Sequence, residues 1–289
     1  MKISSKAVIS ALGIALAIVA QLKLLDDVGL RHTEDGLNRA LVTYGISRSL
    51  NGVISVVQGT EVAIEPVGVG MTFTPGQILD PINDLIERFS TVVLVSGTAF
   101  GIQRVFLDLV SATAFSVFTG LAIIVALSLM WFGSRVPAGV KPPIYRAVII
   151  FLIIRFSVPV TAIASENFYL YFLAPQYQSS SEQLISTTDQ LQDIQSKSEN
   201  TVTDTSVNSG QEKSLLDSAR ELYRSATSTF DMRQHLDDFK LAAENISEHA
   251  IKLIVVFLFQ TIILPLASIW LMLQAIKWVA SGKAGLGQD

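Results

Sequence analysis

The apolar positions of this chain gather into long runs separated by polar stretches, and run length decides the first question. About 20 mostly apolar residues make a helix long enough to cross the hydrocarbon core of a bilayer. Four runs meet that length. The first is AVISALGIALAIVAQLKLL, Ala7 to Leu25, preceded by Lys2 and Lys6. A cleaved signal peptide competes for it, but Ile18, three residues before a cut after Ala20, is larger than the usual small residue there, which favours an uncleaved span. The second, Ser111 to Phe132, carries no charge and ends on Trp131 and Phe132, aromatic residues suited to an interface. The third, Ile144 to Ala164, contains Arg155 and Pro159. The fourth, Ala250 to Ala280, has Pro265 near its middle, where a kink is predicted, and Lys252 and Lys277 placed to snorkel to opposite interfaces.

The polar stretches orient these runs. The short segments, 1–6, 133–143 and the tail from Ser281, carry Lys2, Lys6, Arg135, Lys141 and Lys283 against the single acid Asp289. The long segments are acidic: 26–90 has nine acids against four basic residues, and 165–249 has fourteen against six. Lys and Arg concentrated in short loops mark the cytoplasmic side. The expected organisation is a first transmembrane helix at 1–25, an extracytoplasmic segment at 26–90, and an amphipathic helix continuing into the second span at 91–132. A basic cytoplasmic loop at 133–143, a third span at 144–164, an extracytoplasmic segment at 165–249, a fourth span at 250–280 and a cytoplasmic tail at 281–289 complete it.

Periodicity predicts elements inside the polar stretches. Helix-start signals at Asp80 and Pro81 open a one-sided pattern. Asp84, Glu87, Arg88, Thr91, Thr98, Arg104, Asp108 and Ser111 form a polar stripe, opposite Ile82, Leu85, Phe89, Val93, Phe100, Val105, Phe106 and Leu109. Residues 34–58 have apolar positions at helical spacing, whereas Val62, Ile64, Val67, Val69, Met71 and Phe73 alternate, predicting a small β-hairpin turning at Pro66 and Gly68. In 165–249, Leu184, Ile185, Leu191 and Ile194, then Met232, Leu236, Phe239, Ala243 and Ile246, predict an antiparallel helical hairpin turning within Thr203 to Gln211. The fold class expected is mainly α and integral to the membrane, with about four transmembrane helices.

Composition narrows the functions. Only 16% of the 289 residues are charged, against about 25% in soluble domains, and mean hydropathy is +0.47. A net charge of −4 argues against a nucleic-acid partner. The chain has no cysteine and three histidines, which excludes disulfides and thiol chemistry. No Walker loop, dinucleotide fingerprint or hydrolase motif is present. No catalytic residue, cofactor or metal is therefore expected. His32 lies among Asp26, Asp27, Glu34 and Asp35, a weak cation possibility set against a solvated acidic surface. His249 beside Glu248 reads as an interfacial polar residue.

The candidate pore or packing residues are Arg104, Asp108, Arg155 and Gln260. Arg104 and Asp108, four apart, can pair on one helix face. Arg155, midway along its run, marks a functional site or a structural pair, with a carbonyl or Gln260 as partner. Gly97 and Gly101 are candidate helix-contact residues in a G-x-x-x-G pattern. Pro159 and Pro265 are candidate hinges. The function expected is a non-enzymatic inner-membrane scaffold, receptor or sensor. Its expected partners are the lipid bilayer and a second copy or another membrane protein. A homo-oligomeric channel or small transporter with Arg155 and Arg104/Asp108 near its path is the alternative.

Overall fold

A computed structural model describes residues 3–59, 62–64, 71–73, 79–132, 136–137, 139–203 and 215–281. The turns predicted at Pro66–Gly68 and beyond Thr203 lie outside the described residues. The fold is helical. In chain order it consists of α1 (Ile3–Gln21), α2 (Leu24–Gln58), β1 (Val62–Ile64), β2 (Met71–Phe73), α3 (Asp80–Ser111) and α4 (Thr113–Phe132). Then follow α5 (Lys141–Phe168), a π-helical turn (Tyr169–Leu173), α6 (Ala174–Thr203), α7 (Leu215–Leu258), a second π turn (Phe259–Ile263) and α8 (Leu264–Ala280). β1 and β2 pair antiparallel with Val62 opposite Phe73 and Ile64 opposite Met71. This ladder of three residues per strand is too short to form a sheet layer.

Among the described residues, five helical stretches are long and apolar enough to cross a membrane: Leu24–Gln58, Asp80–Ser111, Thr113–Phe132, Lys141–Ile194 and Asp237–Ala280. The expectation of about four is corrected in two ways. α2 and α3 meet the criterion although their apolar residues interleave with charges, and the first run, Lys6–Gln21, is shorter than the rest. Its break has a local cause. Lys23 adopts a φ of 53°, a left-handed conformation that only glycine takes without strain. α1 closes with the Leu22 amide bonding the Ile18 carbonyl, and the Lys23 carbonyl accepts the Asp27 amide in the first turn of α2. The helix expected to continue through 91–132 is also broken: Ala112 bonds back only to the Leu109 carbonyl, and α4 starts afresh at Thr113.

The chain divides into two compact units. The first comprises Met1–Ala40, Val95–Leu173 and Leu258–Asp289. In it α1 packs antiparallel on α4. Gly13 faces Ile123 and Leu127, the Trp131 indole donates to Ser10 Oγ at 3.0 Å, and Gln21 Nε2 donates to the Ser116 carbonyl at 3.0 Å. α5 packs against both α4 and α8. The Phe100 ring covers Gly36 so closely that a Cβ there would sit 2.5 Å from it. That fixes where α3 crosses α2.

The second unit comprises Leu41–Leu94 and Ala174–Phe257. Its core is drawn from four helices: Leu50, Ile54 and Val57 of α2, Ile86, Phe89 and Val93 of α3, Leu184 and Leu191 of α6, and Ile246, Leu253 and Phe257 of α7. Within each helix these residues recur at steps of three, four or seven, the signature of one buried face. α6 and α7 run antiparallel. Ser180 meets His249 at 3.3 Å, and a shallow groove farther along α6 is lined by Gln190 and Asp193 against Asp238 and Asn245. Tyr177 binds Thr43 at 3.1 Å and meets the Phe257 ring edge-on.

Candidate functional site

The first unit contains a charged seam where the start of α2 lies along the second half of α5. Arg155 is 1% exposed. Its Nη1 donates to Asp26 Oδ1 at 2.8 Å and its Nη2 to Asp26 Oδ2 at 2.6 Å. The planar guanidinium matches both carboxylate oxygens at once, which lysine cannot do. Gln260, the partner considered from sequence, is not bound to it. The acid comes instead from the segment just after α1, where the chain has already turned into α2. Close approach makes this pairing possible: a Cβ on Gly29 would stand 3.3 Å from Pro159 Cα, so glycine lets the two backbones meet. Pro159 stays inside α5, and its missing N–H removes the usual helical partner of the Arg155 carbonyl.

A second pair lies farther along the same two helices. Arg39 Nη1 donates to Glu166 Oε1 at 2.9 Å and Nη2 to Oε2 at 2.6 Å. The Arg39 guanidinium carbon also stands 3.8 Å over the Tyr169 ring, a cation–π contact with the first residue of the π turn. The helices run parallel, so Asp26 and Arg39 on α2 meet Arg155 and Glu166 on α5 in the same order. The 13- and 11-residue separations correspond to about 20 and 16 Å of helix, close enough for one register to satisfy both. Near this second pair, donor atoms of His32, Asp35 and Glu166 all lie within 4.8 Å of one another. Glu166 is buried, His32 is half-buried and Asp35 is exposed.

The other candidates separate. Arg104 does not pair with Asp108. It reaches across to α2, where its Nη2 meets Glu34 Oε1 at 2.8 Å, and the Asp108 side chain is exposed. The burial of α3 explains this: Phe100, Leu107 and Val110 face inward, which turns Val105, Phe106 and Leu109, expected on the packed side, outward. Gly97 is a helix contact, since a Cβ on it would stand 3.5 Å from Ala40 Cβ, whereas a Cβ on Gly101 would meet no neighbouring element within 4 Å. Gln260 is 1% exposed, and neither end of its amide has a hydrogen-bond partner among the described residues. It sits in the π turn just ahead of Pro265, where the Leu264 amide bonds the Phe259 carbonyl. This wider turn accommodates a proline that has no amide to donate to a helical ladder. Next to Gln260, Thr261 Oγ1 lies 3.3 Å from Ser96 Oγ.

In the second unit, burial holds the His249 imidazole below its ordinary pKa; nearby Lys252 adds to this, and Glu248 opposes it. Glu248 is itself bound by Lys252, whose hydrogen bond lowers its pKa.

Sequence reasoning missed Asp26, Arg39, Glu166 and Tyr169. A usable signal existed: an acid followed by a base on one helix and a base followed by an acid at similar separation on another. Compared with known proteins, the chain matches no family model, no curated protein and no solved structure.

Proposed function

We propose that the chain is a non-enzymatic, multi-pass inner-membrane protein that works as an oligomeric scaffold, receptor or sensor through segments 26–90 and 165–249. Both termini are cytoplasmic in this reading, and the acidic segments face outside, following the basic residues of the short loops. The apolar helices are long enough for several crossings.

The observation that carries the reading is the Asp26–Arg155 pair. The charge most expected to mark a permeation path is sealed by a bidentate partner and fixes α2 on α5. α2 then continues without interruption to Gln58, and α5 leads through a π turn into α6. Helices clamped at one end and continuous with a polar segment can transmit displacement from a bound partner, as a receptor or scaffold requires.

The test is the native mass of the full chain in nanodiscs, combined with crosslinking in cells. More than one copy per particle, or reproducible capture of one membrane partner, is the expected result. A monomer with neither a second copy nor a partner captured would overturn the reading.

A further inference from the structure

We propose that His32, Asp35 and Glu166 form a binding site for one divalent transition-metal ion of the zinc type. The inference stands apart from the scaffold reading, because metal binding is read directly. The donors come from two helices. His32 and Asp35 are three apart on α2 and so share a face, and Glu166 approaches from α5. Their ligand atoms lie within 4.8 Å of one another. In a tetrahedral zinc site, bonds of about 2.0–2.2 Å place donors about 3.4 Å apart. Rotation of the exposed Asp35 and half-buried His32 side chains closes that difference.

Two features favour a metal over a bare acidic patch. Among the described residues His32 and Asp35 have neither a hydrogen bond nor an ion pair, so both donor sets are free. Two carboxylates also stand together, and the Arg39 guanidinium binds Glu166 alone, leaving the Asp35 carboxylate available to a cation. Arg39 does not block the site. An ionised carboxylate offers about four lone-pair positions, and a bidentate arginine uses two. Arg39, stacked on Tyr169, instead orients Glu166 as outer-shell partners orient metal ligands, which makes it a positioning residue. An imidazole nitrogen with two carboxylates suits zinc-type ions. Calcium prefers six to eight oxygens and magnesium an octahedral oxygen shell. Asp35 opens the site to solvent, and water completes the coordination.

The experiment is calorimetric titration of the chelator-treated full chain in detergent with Zn²⁺, and with Co²⁺ as a spectroscopic probe. One ion per chain is expected, with visible Co²⁺ absorption that Zn²⁺ displaces. His32→Ala and Asp35→Asn should each abolish the signal, Arg39→Lys should weaken binding about 10–100-fold, and Asp27→Asn should leave it unchanged. His32 and Asp35 both reach solvent, so these variants keep the fold, which circular dichroism checks. Absence of binding, binding that survives His32→Ala, or equal competition by Ca²⁺ would each overturn the site.

Discussion

Replacing Arg155 with methionine is expected to destabilise the folded chain by about 3–5 kcal/mol, the usual cost of stranding one member of a buried ion pair. The side chains of Arg155 and Asp26 are 0% and 3% exposed, so water cannot take over the carboxylate's hydrogen bonds. Asp26→Leu alone should cost a similar amount, because it strands the guanidinium. The double variant Asp26→Leu/Arg155→Met should recover most of the loss, since an apolar pair of similar volume replaces two mutually dependent charges. Thermal unfolding in detergent, arranged as a double-mutant cycle, measures the coupling directly. Single-variant losses below about 1 kcal/mol, the range of exposed ion pairs, would show that the pair is not sealed.

Glu166→Ala is the second large effect, at about 3 kcal/mol. It is placed below the first because the Arg39 side chain keeps 15% exposure and its contact with the Tyr169 ring, both of which soften the loss of the carboxylate. Glu166→Gln should cost less than Glu166→Ala, since the amide oxygen still accepts one guanidinium hydrogen bond. Arg39→Lys should not be a mild change: an ammonium cannot fork onto both oxygens or lie flat on the ring. Unfolding midpoints of the three variants check the order. A Glu166→Ala protein as stable as the wild type would remove this pair from the seam.

These residues also show which parts of the fold were legible in the linear chain. Segments with local periodicity read well. Phe89, Val93 and Phe100 of α3 are buried as their spacing predicted, and so are Leu184 and Leu191 of α6 and Phe239, Ala243 and Ile246 of α7, whereas Ile185, grouped with Leu184 and Leu191, is exposed. The outward turn of Val105, Phe106 and Leu109 did not read, because an apolar residue carries the same signal whether it faces a neighbouring helix or the surroundings. The Arg104–Asp108 pairing failed for a related reason. Four-residue spacing makes a contact possible, but Glu34, seventy residues earlier in the chain, competes for the same guanidinium.

The candidate site was half legible. Arg155 announced itself as a charge inside an apolar run, yet its partner lies 129 residues away, and no local rule reaches that far. Asp26 looked like one acid of a solvated cluster. Burial depends on the turn at Lys23, whose left-handed backbone the sequence does not advertise through glycine. The π turn before Pro265 was equally hidden. A kink was expected at this proline, but not a widened turn that places an unpaired Gln260 amide in the interior.

In the proposed function, Arg155 holds α2 against α5 and lines no path for ions. Ion flux through the full chain reconstituted in liposomes, compared with the folded Asp26→Leu/Arg155→Met variant, tests this most directly. No flux above that of protein-free liposomes is expected for either protein. A conductance in the wild type whose ion selectivity changes in the double variant would contradict it.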